Sequence, residues 1–215
     1  MMTTEPIVES GLTFGPFPEG YCFRIEKSQT YKRIEEGVKT VEFLLLRPNN
    51  TANKTAIWMI EAKKSSPAPT SNAKLEERMN EVSRKLTDNK YIAEQIEEIC
   101  IKLTLSQFDI YIEEICNKFI SSFNLFLSIR LNRHHEKDSE LSDSLKQIDL
   151  ANVRFVFVLV INNCKEEWLP PIKEALDKAL RPITKTWNLV APNVLVLNKD
   201  MAESKQLINL ASTQI

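Results

Sequence analysis

The segment Trp58-Met59-Ile60-Glu61-Ala62-Lys63-Lys64-Ser65 sets an acid and a base at the end of an apolar run. Side chains alternate along a strand, so Glu61 and Lys63 share one face with Ile57 and Met59. A second acid, Glu42, sits among strongly apolar neighbours in Val41-Glu42-Phe43-Leu44-Leu45-Leu46. A carboxylate on a half-buried strand is costly unless it is paired, hydrated or bound to a cation. If the two strands are neighbours, Glu42 and Glu61 converge and repel, and a divalent cation relieves that repulsion. Hard oxygen ligands suit Mg²⁺ or Mn²⁺. Such an ion lowers the pKa of a bound water and neutralises charge on a phosphate. Lys63 beside it would orient or deprotonate that water and stabilise the developing charge.

Other residues carry weaker chemical signals. Lys63-Lys64-Ser65-Ser66 opens a loop in which Lys64 and Ser65 are candidates for phosphate contact. His134 and His135 are the only histidines and fall in a charged stretch, which reads as solvated loop. Trp58 lies on the face opposite Glu61, so packing explains it better than base stacking; Trp168 is the other stacking candidate considered. The four cysteines, at 22, 100, 116 and 164, have no zinc-type spacing, and Cys100 and Cys116, in helical patterns, read as buried, reduced core thiols. With only four glycines, at 11, 15, 20 and 37, the chain lacks GxGxxG and GxxxxGK[ST], which excludes dinucleotide and P-loop phosphate cradles. There is no GxSxG, and nothing suggests an acid–His–Ser arrangement.

These residues need a sheet to position them. Residues 1–20 hold three glycines and two prolines after Pro6 and read as an irregular lead-in. Tyr21–Ile34 reads as strand or hairpin, Val38–Arg47 as a strand stopped by Pro48-Asn49-Asn50, and Thr55–Lys63 as its antiparallel partner. Pro67 and Pro69 mark a linker into a long helical segment, residues 73–131. Apolar residues recur there at three and four, as in Phe108, Ile112, Ile115, Phe119, Phe123 and Phe126. Asn132–Ser144 reads as exposed loop, and Val153–Ile161 as a strand buried on both faces. Helix over Glu166–Leu180, strand over Asn193–Leu197 and helix over Met201–Leu210 complete the chain. The order predicts an α/β (α+β mixed) domain spanning 1–215, with a mixed central sheet flanked by long helices.

Glu42, then a loop, then Glu61-Ala62-Lys63 resembles the PD-(D/E)xK nuclease motif at the core of many restriction endonucleases, resolvases and repair nucleases. The match runs from about Val38 to Ser65. The resemblance implies a restriction endonuclease-like core and a Mg²⁺- or Mn²⁺-dependent nuclease acting on DNA, in a defence or restriction setting. It assigns Glu42 and Glu61 as metal ligands, Lys63 as the catalytic lysine and the Ala62 carbonyl as a further ligand. Some members of the class add a Lys from a helix over the sheet, which singles out Lys118. The first acid is usually Asp after Pro; here it is Glu42 after Val41. The class also often has a helical acid ahead of the first strand, for which Glu26, Glu35 and Glu36 are stand-ins.

The 215 residues, 43% apolar and 27% charged, are ordinary for a globular protein. The net charge of −1 is unlike a dedicated nucleic-acid coat protein, but a local patch suffices for a nuclease. No run spans a bilayer and the N-terminus lacks a basic leader, so a cytoplasmic protein is expected. Two alternatives stand beside the nuclease. One is an inactive subunit on the same fold. The other is an unrelated interaction domain that dimerises or binds a partner through its phenylalanine-rich helix.

Overall fold

The computed structural model describes residues 3–49, 54–69, 107–134 and 141–209. Its centre is a mixed sheet in the order β3-β4-β5-β6-β7, formed by Cys22–Phe23, Phe43–Asn49, Lys54–Ser65, Arg154–Asn163 and Val194–Asn198. The first three strands pair antiparallel. β5, β6 and β7 then run parallel, and such pairs require crossover connections. Helix α2 (Gln107–Arg130) lies within the first crossover and α4 (Leu169–Ala179) within the second. The expected mixed α/β architecture is therefore present.

Alternation assigns each side chain to a layer. Leu44, Leu46, Ile57, Met59, Phe155, Phe157, Leu159 and Ile161 face α2 and α4 in one apolar cluster. Phe43, Leu45, Ile60, Ala62, Val156, Val158 and Val160 face the other way. β6 is buried on both faces, as its unbroken apolar run predicts. Aromatic rings lock α2 to the sheet: Phe119 meets Phe157 at 5.3 Å and Phe123 meets Phe155 at 4.9 Å between centroids. The Phe108–Phe126 stripe is thus buried against this chain's own sheet.

Several boundaries differ from the sequence expectation. Residues 1–20 are not wholly irregular: β1 (Ile7–Glu9) and β2 (Leu12–Phe14) form a hairpin. Ser10 and Gly11 make its tight turn, both with positive φ, 53° and 76°. Three-residue strands are too short to show a period. This hairpin and α6 (Lys199–Ser204) cover the sheet face opposite α2.

The Tyr21–Ile34 stretch is strand only at β3. It then turns into a short 3₁₀ segment, Ile25–Lys27, and helix α1 (Gln29–Ile34). The Ser28 hydroxyl caps α1 by accepting from the Tyr31 N–H at 3.0 Å. β4 begins later than expected, at Phe43, and runs through Pro48, which pairs with Thr55. Proline is tolerated there because β3 pairs only with Leu44 and Leu45, leaving that side of β4 without a ladder to donate to.

The predicted 132–144 loop gives way at its end to α3 (Asp143–Lys146), capped by Ser142. The Glu166–Leu180 helix is 3₁₀ over Glu166–Trp168 before α4 begins, with Pro170 and Pro171 in its first turn. A further short helix, α5 (Arg181–Thr186), follows. The closing helix ends at Ser204 rather than Leu210; Ile208 instead bridges to Phe14. Expectations for 73–106 and for His135 lie outside the described residues.

One contact ties the sheet edge to α2. The buried Ser122 hydroxyl accepts from the Val41 N–H at 2.8 Å, next to Glu42. Removing it orphans a buried donor, a loss of about 1–3 kcal/mol. We expect Ser122→Ala to lower the unfolding free energy by that amount, read as a lower urea midpoint at unchanged slope; an unchanged midpoint would contradict the anchoring role.

Candidate active site

Glu42 lies immediately before β4, and its N–H donates to the Ile60 carbonyl at 3.0 Å. Pairing ends at Phe43 and Ile60, and Glu42 stands just outside it, close enough to Glu61 for the two charges to repel. Both carboxylates reach the face covered by α2. From that helix Lys118 meets them: its Nζ donates to Glu61 Oε1 at 2.7 Å and lies 4.0 Å from Glu42 Oε1. Lys63 Nζ approaches the same Glu61 oxygen at 3.3 Å and donates to Glu114 Oε1 at 2.8 Å. The result is a continuous chain of charge, Glu42–Lys118–Glu61–Lys63–Glu114.

The Glu61 side chain is 0% exposed, yet its Oε2 has no hydrogen-bond partner among the described residues. Burial pushes its carboxyl above the usual range, and Lys118 and Lys63 pull it back. Burial also raises Glu42, to about 7, with repulsion from Glu61 adding to it and Lys118 opposing. Smaller repulsions on Glu42 come from Glu9 and Glu26. Burial alone would lower the Lys63 ammonium, but the Glu114 hydrogen bond and the Glu61 charge outweigh it and leave Lys63 raised. Glu114 is correspondingly held low by Lys63.

Four sequence candidates therefore come together: Glu42, Glu61, Lys63 and Lys118. Lys64 and Ser65 do not join them. Both are exposed, and Lys64 falls on the opposite strand face. The Ala62 carbonyl accepts from the Ser10 hydroxyl at 3.0 Å, on the hairpin side of the sheet. His134 lies beyond the C-terminal end of α2. Trp58 packs on the face away from Glu61, with the Arg47 guanidinium 5.0 Å from its ring.

Sequence reasoning missed Glu114 and Tyr111. Glu114 is one turn before Lys118, and Tyr111 is one turn before Glu114, so all three share a stripe of α2. That i, i+3, i+7 spacing was the available signal. The Tyr111 hydroxyl is buried without a partner among the described residues, and after burial itself, the charges of Glu61 and Glu114 are among the causes that hold its proton on.

The donor set fits a hard cation. Mg²⁺ is commonly held by one or two carboxylates with waters completing its shell. Glu42 and Glu61 supply two, and the unpartnered Glu61 Oε2 is a buried acceptor with capacity to spare. Among the described residues no group of three or more His, Cys, Asp or Glu side chains gathers.

The raised Glu42 pKa has a defined sign for stability. Between the ordinary 4.5 and about 7, folded Glu42 keeps a proton that the unfolded chain has lost. Stability therefore falls as pH rises through that window. Glu42→Gln should raise the unfolding free energy at pH 8 by on the order of 1–3 kcal/mol, seen as a higher urea midpoint, and change it little at pH 5. A lowered midpoint at pH 8 would contradict this.

No protein-family model, curated protein or solved structure matches this chain, so its site is read from its own geometry.

Proposed function

We propose that this chain is a Mg²⁺- or Mn²⁺-dependent nuclease of PD-(D/E)xK type, hydrolysing phosphodiester bonds in DNA. One observation carries the reading. An acid of β5, the acid that leads into β4 and two lysines converge near the end of β5, with one acid fully buried and half of its acceptor capacity unused. The mixed sheet flanked by helices is compatible with a restriction endonuclease-like core. A defence or restriction setting is one that the class offers, beside resolution and repair.

In this reading Glu42 and Glu61 hold the metal, which when bound supplies a more acidic water and positive charge against the phosphate. Lys63 is 22% exposed and so reaches the solvent side of the cluster. Its raised pKa keeps it an ammonium at neutral pH, so it acts as a hydrogen-bond donor, not as the base. It orients the attacking water and stabilises charge on a phosphate oxygen. Glu114 accepts from Lys63 and fixes the direction of its amine. Tyr111 offers an unused hydroxyl donor on the same helix stripe.

A second reading has its own support. Lys118 and Lys63 already compensate Glu61, and a cluster closed on itself suits a non-catalytic subunit of the same fold. Among the described residues no helix is long and apolar enough to cross a membrane.

Plasmid cleavage separates the two. Wild-type protein with Mg²⁺ or Mn²⁺ should nick or linearise DNA. Glu61→Ala and Lys63→Ala should each lose about 10²-fold or more, the scale of a lost electrostatic or proton-transfer group. Circular dichroism should report a retained fold. Equal cleavage by wild type and Glu61→Ala would assign the activity elsewhere, and no cleavage by wild type would favour the subunit.

A further inference from the structure

We infer that Lys118 is the resident counter-cation of this site, an ammonium that holds Glu42 and Glu61 in the ion-free chain and leaves when a divalent cation binds. The inference rests on the metal-binding part of the proposed function and adds a regulation to it.

Three observations lead there. First, the Lys118 ammonium stands against both candidate ligands, 2.7 Å from Glu61 Oε1 and 4.0 Å from Glu42 Oε1. A divalent ion bound to the same two carboxylates would be close enough to repel it strongly. Second, the two lysines differ in what they keep. Lys63 retains Glu114 at 2.8 Å whatever happens at Glu61. The only salt-bridge carboxylates of Lys118 among the described residues are the two that a metal would claim. Third, Lys118 has a way out, since its side chain is 16% exposed while Glu61 is fully buried. Its apolar four-carbon stem can carry the charged ammonium toward solvent by rotation about side-chain bonds.

The consequence is a site that never holds two bare buried acids. In the absence of metal the lysine offsets the burial of Glu61, and the fold does not depend on the ion. The same lysine competes with the ion, so metal affinity is set below what the carboxylates alone would give. Metal binding then turns an ammonium outward beside Lys63, where a phosphate would approach.

The test uses the full chain and Mn²⁺ alone, with free Mn²⁺ read by electron paramagnetic resonance. Lys118→Met should bind Mn²⁺ about tenfold or more tightly than wild type, the equivalent of about 1.4 kcal/mol of relieved competition. Its melting temperature without metal should fall, and Mn²⁺ should restore it. In wild type, mass spectrometry should find Lys118 acetylated severalfold faster with Mn²⁺ than without, which tests displacement with no variant at all. If wild type binds Mn²⁺ but Lys118→Met binds it no more tightly, or acetylation of Lys118 does not rise, the counter-cation inference fails and the metal site stands. If neither protein binds Mn²⁺, both the inference and the metal-dependent nuclease fail. Tighter binding without any DNA cleavage would keep the inference and remove the nuclease.

Discussion

Everything at the end of β5 follows from the burial of one carboxylate. Glu61 has no exposed side-chain surface, and an isolated charge in such a place would be driven to take up a proton. Two ammoniums, one from its own strand and one from α2, oppose this. Removing either partner of a buried pair is costly, far more so than at an exposed pair. The position of α2 is therefore constrained twice. Its phenylalanines pack on β6, and its polar stripe must meet Glu61.

That double constraint explains why one helix organises both core and site. Along α2, Phe119, Phe123 and Phe126 face the sheet, while Glu114 and Lys118 meet Lys63 and Glu61 near the end of β5. Ser122 joins the two roles by holding the backbone next to Glu42. The parallel crossover needed to bring β6 beside β5 gives such a helix its place over the sheet.

Much of this was legible from residue order. Alternation on β5 put Glu61 and Lys63 on one face and Trp58 on the other, and the continuous apolar run of β6 announced a strand buried on both sides. What the sequence did not expose depended on non-local contacts or on very short elements. The β1–β2 hairpin is too brief for a period, and its Ser10–Gly11 turn lacks the common Asn-Gly signature. The start of β4 is set by pairing with β5 and by Ser122, neither of which local sequence encodes. Glu114 escaped notice because an acid on an amphipathic helix ordinarily reads as solvated. It becomes meaningful only once Lys63 is known to stand across from it. Lys118 was suggested by analogy alone, and the structure puts it in contact with Glu61.

We propose that the ends of β4 and β5 offer two carboxylates to one hard cation. The most direct measurement is anomalous diffraction from crystals soaked in Mn²⁺. The account predicts a single strong peak about 2 Å from carboxylate oxygens of both Glu42 and Glu61. Crystals saturated with Mn²⁺ that show no peak between those side chains, with the Lys118 amine still on Glu61, would contradict it.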